Sequence, residues 1–154
     1  MQTEATLEEL VSQLASSSVA FGTDNPVNAE LGPALQAALA DASLDPAGMI
    51  VLEQTPPVIA DLRDLAQDAA AETGLDTVLV RTPQVAVGVS DSLTRAQVER
   101  GERAMVAEPD YVAGVHAFAD AANGFSLNWP LVVAAVLVVL AAVAAAAAFS
   151  ARRG

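Results

Sequence analysis

The sequence predicts a small α/β domain, a mixed sheet of about three or more strands packed by helices, followed by one C-terminal transmembrane helix. Three observations carry this expectation. Short, largely apolar runs at 49–52, 77–80 and 85–89 lie between Gly- and Pro-bearing turns, the pattern of buried strands. Around them, apolar residues recur at helical spacing. Finally, 131–149 contains no charged and no strongly polar group until Ser150, and extended to 129–151 it has the length that a bilayer core requires.

The elements follow in order. Thr6 with Glu9 forms a capping-box pattern ahead of Leu10, Val11 and Leu14, which predicts an amphipathic helix over 7–16. Ser16-Ser17-Ser18 and Gly22-Thr23-Asp24 read as a loop. Asn25 as cap and Pro26 in the first turn open a second helix, with Val27, Leu31, Leu35, Ala38 and Leu39 on its buried face. Asp45-Pro46-Ala47-Gly48 ends that unit, and 49–52 is a central strand. Ile59, Leu62, Leu65, Ala66 and Ala69 form a helical stripe closed by Gly74. The strand 77–80 then turns through Arg81-Thr82-Pro83-Gln84 into an antiparallel strand 85–89. The strand–helix–strand unit is expected to be parallel and right-handed. Thr94 and Gln97 form a second capping box, with Leu93 and Val98 as its hydrophobic staple. Pro109 breaks that helix and opens a last one, with Val112, Val115, Phe118 and Ala119 inward.

The organisation read from this pattern is an N-terminal helix and loop over 1–24, the α/β domain over 25–124, a tether at 125–128, the membrane helix at 129–151 and a basic tail at 152–154. Trp129 suits the head-group layer at one end of the helix, and Arg152 and Arg153 close the other. Roughly 125 residues precede the helix, enough for one hydrophobic core. They carry nineteen acidic residues against five arginines, a net charge of −14. Such a surface repels nucleic acid and suits a protein or cation as partner. The chain has no cysteine, which excludes disulfides and thiolate chemistry. It has no lysine and is rich in Ala and Val, a composition that suggests a GC-rich bacterial genome.

From about residue 25 to 124 the chain resembles a TPM domain. The carrying residues are the Leu-rich helix after Asn25-Pro26, the strand at 49–52, the strand pair containing Val87-Gly88, and Asp110-Tyr111 followed by Gly114-Val115. The domain with a C-terminal anchor directly after it also resembles a family of small actinobacterial single-pass membrane proteins encoded near cell-wall peptidases. The resemblance implies a small α/β module tied to a membrane, with some relatives acting as phosphatases or cation binders. TPM domains usually carry a glycine-rich stretch with an acidic residue where this chain has Val89-Ser90-Asp91-Ser92-Leu93.

No constellation of residues points to a particular catalysis. His116, the one histidine, has Asp120 at i+4 and reads as a surface pair. Asp61, Asp64 and Asp68 share one flank of a helix, too few oxygens for a calcium site by themselves. Ser90, Asp91 and Ser92 read as turn and cap residues. No cofactor is expected, and a divalent cation is the one candidate that the acidic surface admits. Arg95, Arg100 and Arg103, with Asp110, Tyr111 and Gly114, are candidates for an interaction surface. The expected function is a membrane-anchored, non-catalytic interaction or regulatory module of the bacterial cell envelope. Its partners are the lipid bilayer and another envelope protein. The alternatives are a cation-dependent phosphatase or other hydrolase, and a constitutive structural tether in an envelope complex. The two terminal arginines favour a cytoplasmic tail and an extracytoplasmic domain. The N-terminus, without the pattern of a signal peptide, argues the other way.

Overall fold

The computed structural model describes residues 4–44, 46–124 and 129–154. Its elements are α1 (Leu7–Ser17), β1 (Val19–Phe21), α2 (Asn28–Asp41), β2 (Ala47–Val51), α3 (Ala60–Thr73), β3 (Thr77–Arg81), β4 (Ala86–Ser90), α4 (Arg95–Ala107), α5 (Tyr111–Asn123) and α6 (Trp129–Arg153). The chain divides into two compact units, 1–124 and 125–154. The tether expected at 125–128 and Asp45 of the turn at 45–48 lie outside the described residues.

The first unit is a mixed four-stranded sheet in the order β1-β2-β3-β4, with β1, β2 and β3 parallel and β4 antiparallel to β3. Alternation along the strands sends side chains to opposite faces. Met49, Val51 and Leu79 pack with α2, α4 and α5, around Phe118. Ile50, Val78 and Val80 pack with α1 and α3, around Leu10, Leu14 and Leu62. The sheet is thus the middle of three layers, which explains why its central strands β2 and β3 are buried along their whole length.

Local signals place most helix ends as expected. Thr6 and Thr94 both close capping boxes, with Glu9 and Gln97 respectively. Gly74 ends α3 in the left-handed conformation at φ 71°. The start of α2 differs from expectation. Asn25-Pro26-Val27 forms a tight turn, with the Asn28 N–H bonded to the Asn25 carbonyl, and the helix begins only at Asn28. Val27 and Ile59, expected on buried faces, stand just ahead of α2 and α3 and are 53% and 44% exposed.

The segment before residue 25 is not an appendage. Leu10 and Leu14 of α1 are buried in the core. Residues 19–21, expected in a loop, form the edge strand β1 beside β2. Three residues are too few to show a strand period, and Ser16-Ser17-Ser18 resembles a longer turn. Ser18 provides that turn alone, at φ 62°.

Both strand–helix–strand units step the same way across the sheet, yet α2 and α3 lie on opposite faces, so the two crossovers have opposite hands. The backbone bonds identify which is which. Met49, facing α2, donates its N–H to Ser18 beside β1, and Leu52, facing α3, donates to Arg81 of β3. For L-residues this makes β2–α3–β3 right-handed, as expected, and β1–α2–β2 left-handed, the rare form.

Candidate functional site

Because α2 and α3 leave their strands toward opposite faces, the loops after β1 and β2 diverge and open a crevice between them. This is where open α/β sheets place ligands. The crevice is a cleft of about 230 Å3. Phe21, Leu31, Val51 and Leu52 supply apolar walls, Pro83 and Tyr111 close one side, and Glu53 is the one charged residue in its lining. Asn25 fixes that carboxylate. Its Oδ1 accepts from the Val27 N–H at 3.1 Å, which turns its Nδ2 to donate to Glu53 Oε1 at 2.8 Å. The amide of Asn25, together with Thr23, holds the Glu53 carboxyl below its ordinary value of 4.5.

Arg81 lies beneath the same end of the domain. It is 3% exposed. Its Nη1 donates to the Thr82 carbonyl and, at 3.4 Å, to Val85, and its Nη2 donates to Glu108 at 3.5 Å. The guanidinium stacks on Tyr111 at 4.9 Å. Nε has no partner. Arg81 thus ties the β3–β4 turn to the α4–α5 junction, and Tyr111 joins that anchor to the cleft wall.

A second cluster occupies the opposite end. Asp76 Oδ2 accepts from Ser92 at 2.5 Å, Thr77 at 2.9 Å and Ser90 at 3.4 Å. These hydroxyls, Ser92 foremost, hold the Asp76 carboxyl below its ordinary 3.8. Ser90 and Ser92 read in sequence as turn residues, and no local signal marks Asp76. The sheet joins them by setting Thr77 opposite Ser90. Among the described residues no group of three His, Cys, Asp or Glu side chains could hold a metal ion. The donors around Asp76 are hydroxyls, which complete a carboxylate's hydrogen bonding without further acid groups.

Side chains bond outward backbone groups at both edges of the sheet. At β1 the Gln13 carboxamide accepts from the Phe21 N–H at 3.0 Å and donates to its carbonyl at 3.2 Å. Ser17 donates to the Val19 carbonyl at 2.8 Å. At β4 the Gly88 N–H donates to Glu102 at 2.8 Å, and Glu102 pairs with Arg63 of α3 at 3.5 Å. An edge strand whose backbone groups are already bonded offers little to an added strand.

The expected interaction residues fall into separate roles. Arg95 is exposed and pairs with Glu99 at 2.8 Å. Arg100 turns to α5, where its Nε donates to the Ala121 carbonyl at 3.3 Å beside Gln97, which bonds Ala122. Arg103 is exposed. Asp110 caps α5 through the Ala113 N–H at 2.7 Å. Gly114 is buried, and a Cβ there would stand 3.4 Å from the Met105 carbonyl oxygen. His116 and Asp120 are both exposed with no bond between them, and Asp61, Asp64 and Asp68 all face solvent. Sequence reasoning missed the roles of Gln13, Asn25 with Glu53, Arg81 and Glu102. Their partners are distant in the chain, and the one early signal was an arginine ending an apolar strand.

The second unit is α6, 25 residues from Trp129 to Arg153, long and apolar enough to cross a bilayer. Its large apolar side chains are exposed along its length, Trp129 is exposed at its start, and Arg153 stacks on Phe149 at 4.6 Å. A three-layer α/β domain followed by such a helix defines a membrane protein with one candidate C-terminal anchor. A family model described as membrane protein Rv1476 matches residues 2–154, and the chain belongs to that family. No curated protein and no solved structure matches it.

Proposed function

We propose that this membrane protein is a non-catalytic interaction module of the bacterial cell envelope, with a TPM-like domain held at the bilayer by α6. One observation carries the reading. Among the described residues of the domain, the large apolar side chains left exposed are Val27, Val58, Ile59 and Val106. All four lie at the end where β1, β2 and β3 finish: Val27 ahead of α2, Val58 and Ile59 ahead of α3, Val106 in the last turn of α4. Scattered apolar residues need no explanation, but four at one end of a strongly acidic domain mark that end as a contact region. Helix α5 starts at this end, beside Arg81, and finishes at the other, beside the first turn of α4.

Side chains already bond Val19 and Phe21 of β1 and the Gly88 N–H of β4, so the reading assigns contact to this end of the domain rather than to strand addition. Arg152 and Arg153 favour a cytoplasmic tail and an extracytoplasmic domain. A link to cell-wall remodelling rests on the resemblance alone.

The test is a photocrosslinking residue placed in the full chain, in cells, at position 58 and separately at position 68 on the outer side of α3. The reading expects one discrete crosslinked protein from 58 and none from 68. Equal, diffuse labelling from both positions would overturn it. Reporter fusions at Met1 and at Gly154 assign the side of the membrane.

A further inference from the structure

We infer that the cleft between the carboxyl ends of β1 and β2 receives one arginine or lysine side chain from a partner protein, with Glu53 as its counter-charge. The inference rests on the interaction-module reading and names the contact within it.

Size comes first. Pockets that hold whole small molecules measure about 300–1,000 Å3, and this cleft measures about 230 Å3. That volume suits one inserted side chain, the usual form of an interface anchor. Chemistry comes second. The walls are apolar, through Phe21, Leu31, Val51 and Leu52, and would cover a long aliphatic stem. The single charge in the lining is the carboxylate of Glu53, which Asn25 holds in place before any partner arrives. Such preorganisation lowers the ordering cost of binding. Charge comes third. The region before Trp129 carries a net −14. No arginine lines the cleft, and Arg81 beneath it is buried and bonded to backbone carbonyls. A basic side chain is therefore attracted at long range and meets its opposite charge at contact.

The experiment uses the full chain, methyl-labelled, in phosphatidylcholine nanodiscs, titrated with n-butylguanidinium chloride at constant ionic strength. Sodium butyrate and n-butanol carry the same stem with an anionic and a neutral head, and calcium chloride is a bare cation. The expected result is methyl shifts at Leu31, Val51 and Leu52, with n-butylguanidinium binding about three- to fivefold more tightly than n-butanol. Glu53→Gln removes that preference with the rest of the spectrum unchanged, and Glu53→Asp keeps part of it. The inference is overturned if butyrate or n-butanol binds as well, if calcium alone reproduces the shifts, if the shifts fall elsewhere, or if Glu53→Gln keeps the preference. The crosslinking experiment separates the two readings. A discrete crosslink from position 58 beside a silent titration removes the cleft and leaves the module, whereas diffuse crosslinking removes the module.

Discussion

The Arg81 guanidinium lies 4.9 Å from the centre of the Tyr111 ring, at the junction of the β3–β4 turn and the start of α5. Among the described residues no carboxylate pairs with it, and its Nη donors go instead to the carbonyls of Thr82, Val85 and Glu108. A buried cation is tolerated when hydrogen bonds satisfy it. The arrangement makes Arg81 a brace that holds Tyr111, and with it one side of the cleft. Arg81→Lys loses the planar fork and the stack, which an ammonium cannot reproduce. Chemical denaturation should register a loss of about 2–3 kcal/mol. Tyr111→Phe keeps the ring and should stay within about 0.5 kcal/mol, whereas Tyr111→Leu should cost about 1 kcal/mol. A lysine variant as stable as the parent would contradict the brace.

Phe118 packs flat on Gly101. A Cβ at Gly101 would stand 2.6 Å from two Phe118 ring carbons. In an exposed helix Gly→Ala gains about 1 kcal/mol. Here the ring is fully buried and cannot step aside, so overpacking wins. Gly101→Ala should destabilise the domain by about 1–3 kcal/mol. Combining it with Phe118→Leu should recover part of the loss, which a double-mutant cycle by denaturation would read directly.

The edge covers predict a change in association. Gln13→Ala frees the N–H and carbonyl of Phe21, and Glu102→Ala frees the Gly88 N–H. Each single change should cost about 1 kcal/mol. The double variant should self-associate with rising concentration, because two edges then offer unpaired backbone groups. Sedimentation velocity in detergent is the check, and a double variant as monomeric as the parent would show that other features guard the edges.

Asp76 gives a pH signature. Its carboxyl titrates below the ordinary 3.8 in the folded domain, chiefly because Ser92 donates to it. The unfolded chain therefore binds the proton first as pH falls. The stabilisation is complete above the ordinary value and disappears as pH drops through the folded one. Ser92→Ala should move the Asp76 titration up toward 3.8 by carboxyl-detected NMR, and should flatten the fall of stability in acid. A titration unmoved by Ser92→Ala would assign the depression to Thr77 and Ser90 instead.

Much of the fold follows from local sequence. The periods of Leu10 with Leu14, of Leu62 with Ala66 and Ala69, and of Val115 with Phe118 placed three helices on their buried faces. The capping boxes at Thr6 and Thr94 and the left-handed Gly74 set helix ends, because each rests on residues three or four apart. The turn at Asn25-Pro26-Val27 shows where this logic stops. Locally it is a good helix start, but Asn25 is also recruited by Glu53, 28 residues away. The anchor was equally legible, since an uncharged stretch of bilayer length needs no tertiary partner to declare itself.

What the sequence by itself determined was therefore every element but β1, the acidic charge of the domain and the helix at its end. The tertiary structure alone decided what those elements bring together. It made 19–21 a strand by supplying β2 as its neighbour, and it gave β1–α2–β2 its left-handed path. It set Asp76 beside Ser92, Gln13 on Phe21, Glu102 on Gly88, and Glu53 at the mouth of a cleft. The physical reason is range. Periodicity and caps act over one helical turn or one pleat, whereas these contacts join residues 8 to 28 positions apart, brought together only by the packing of the sheet.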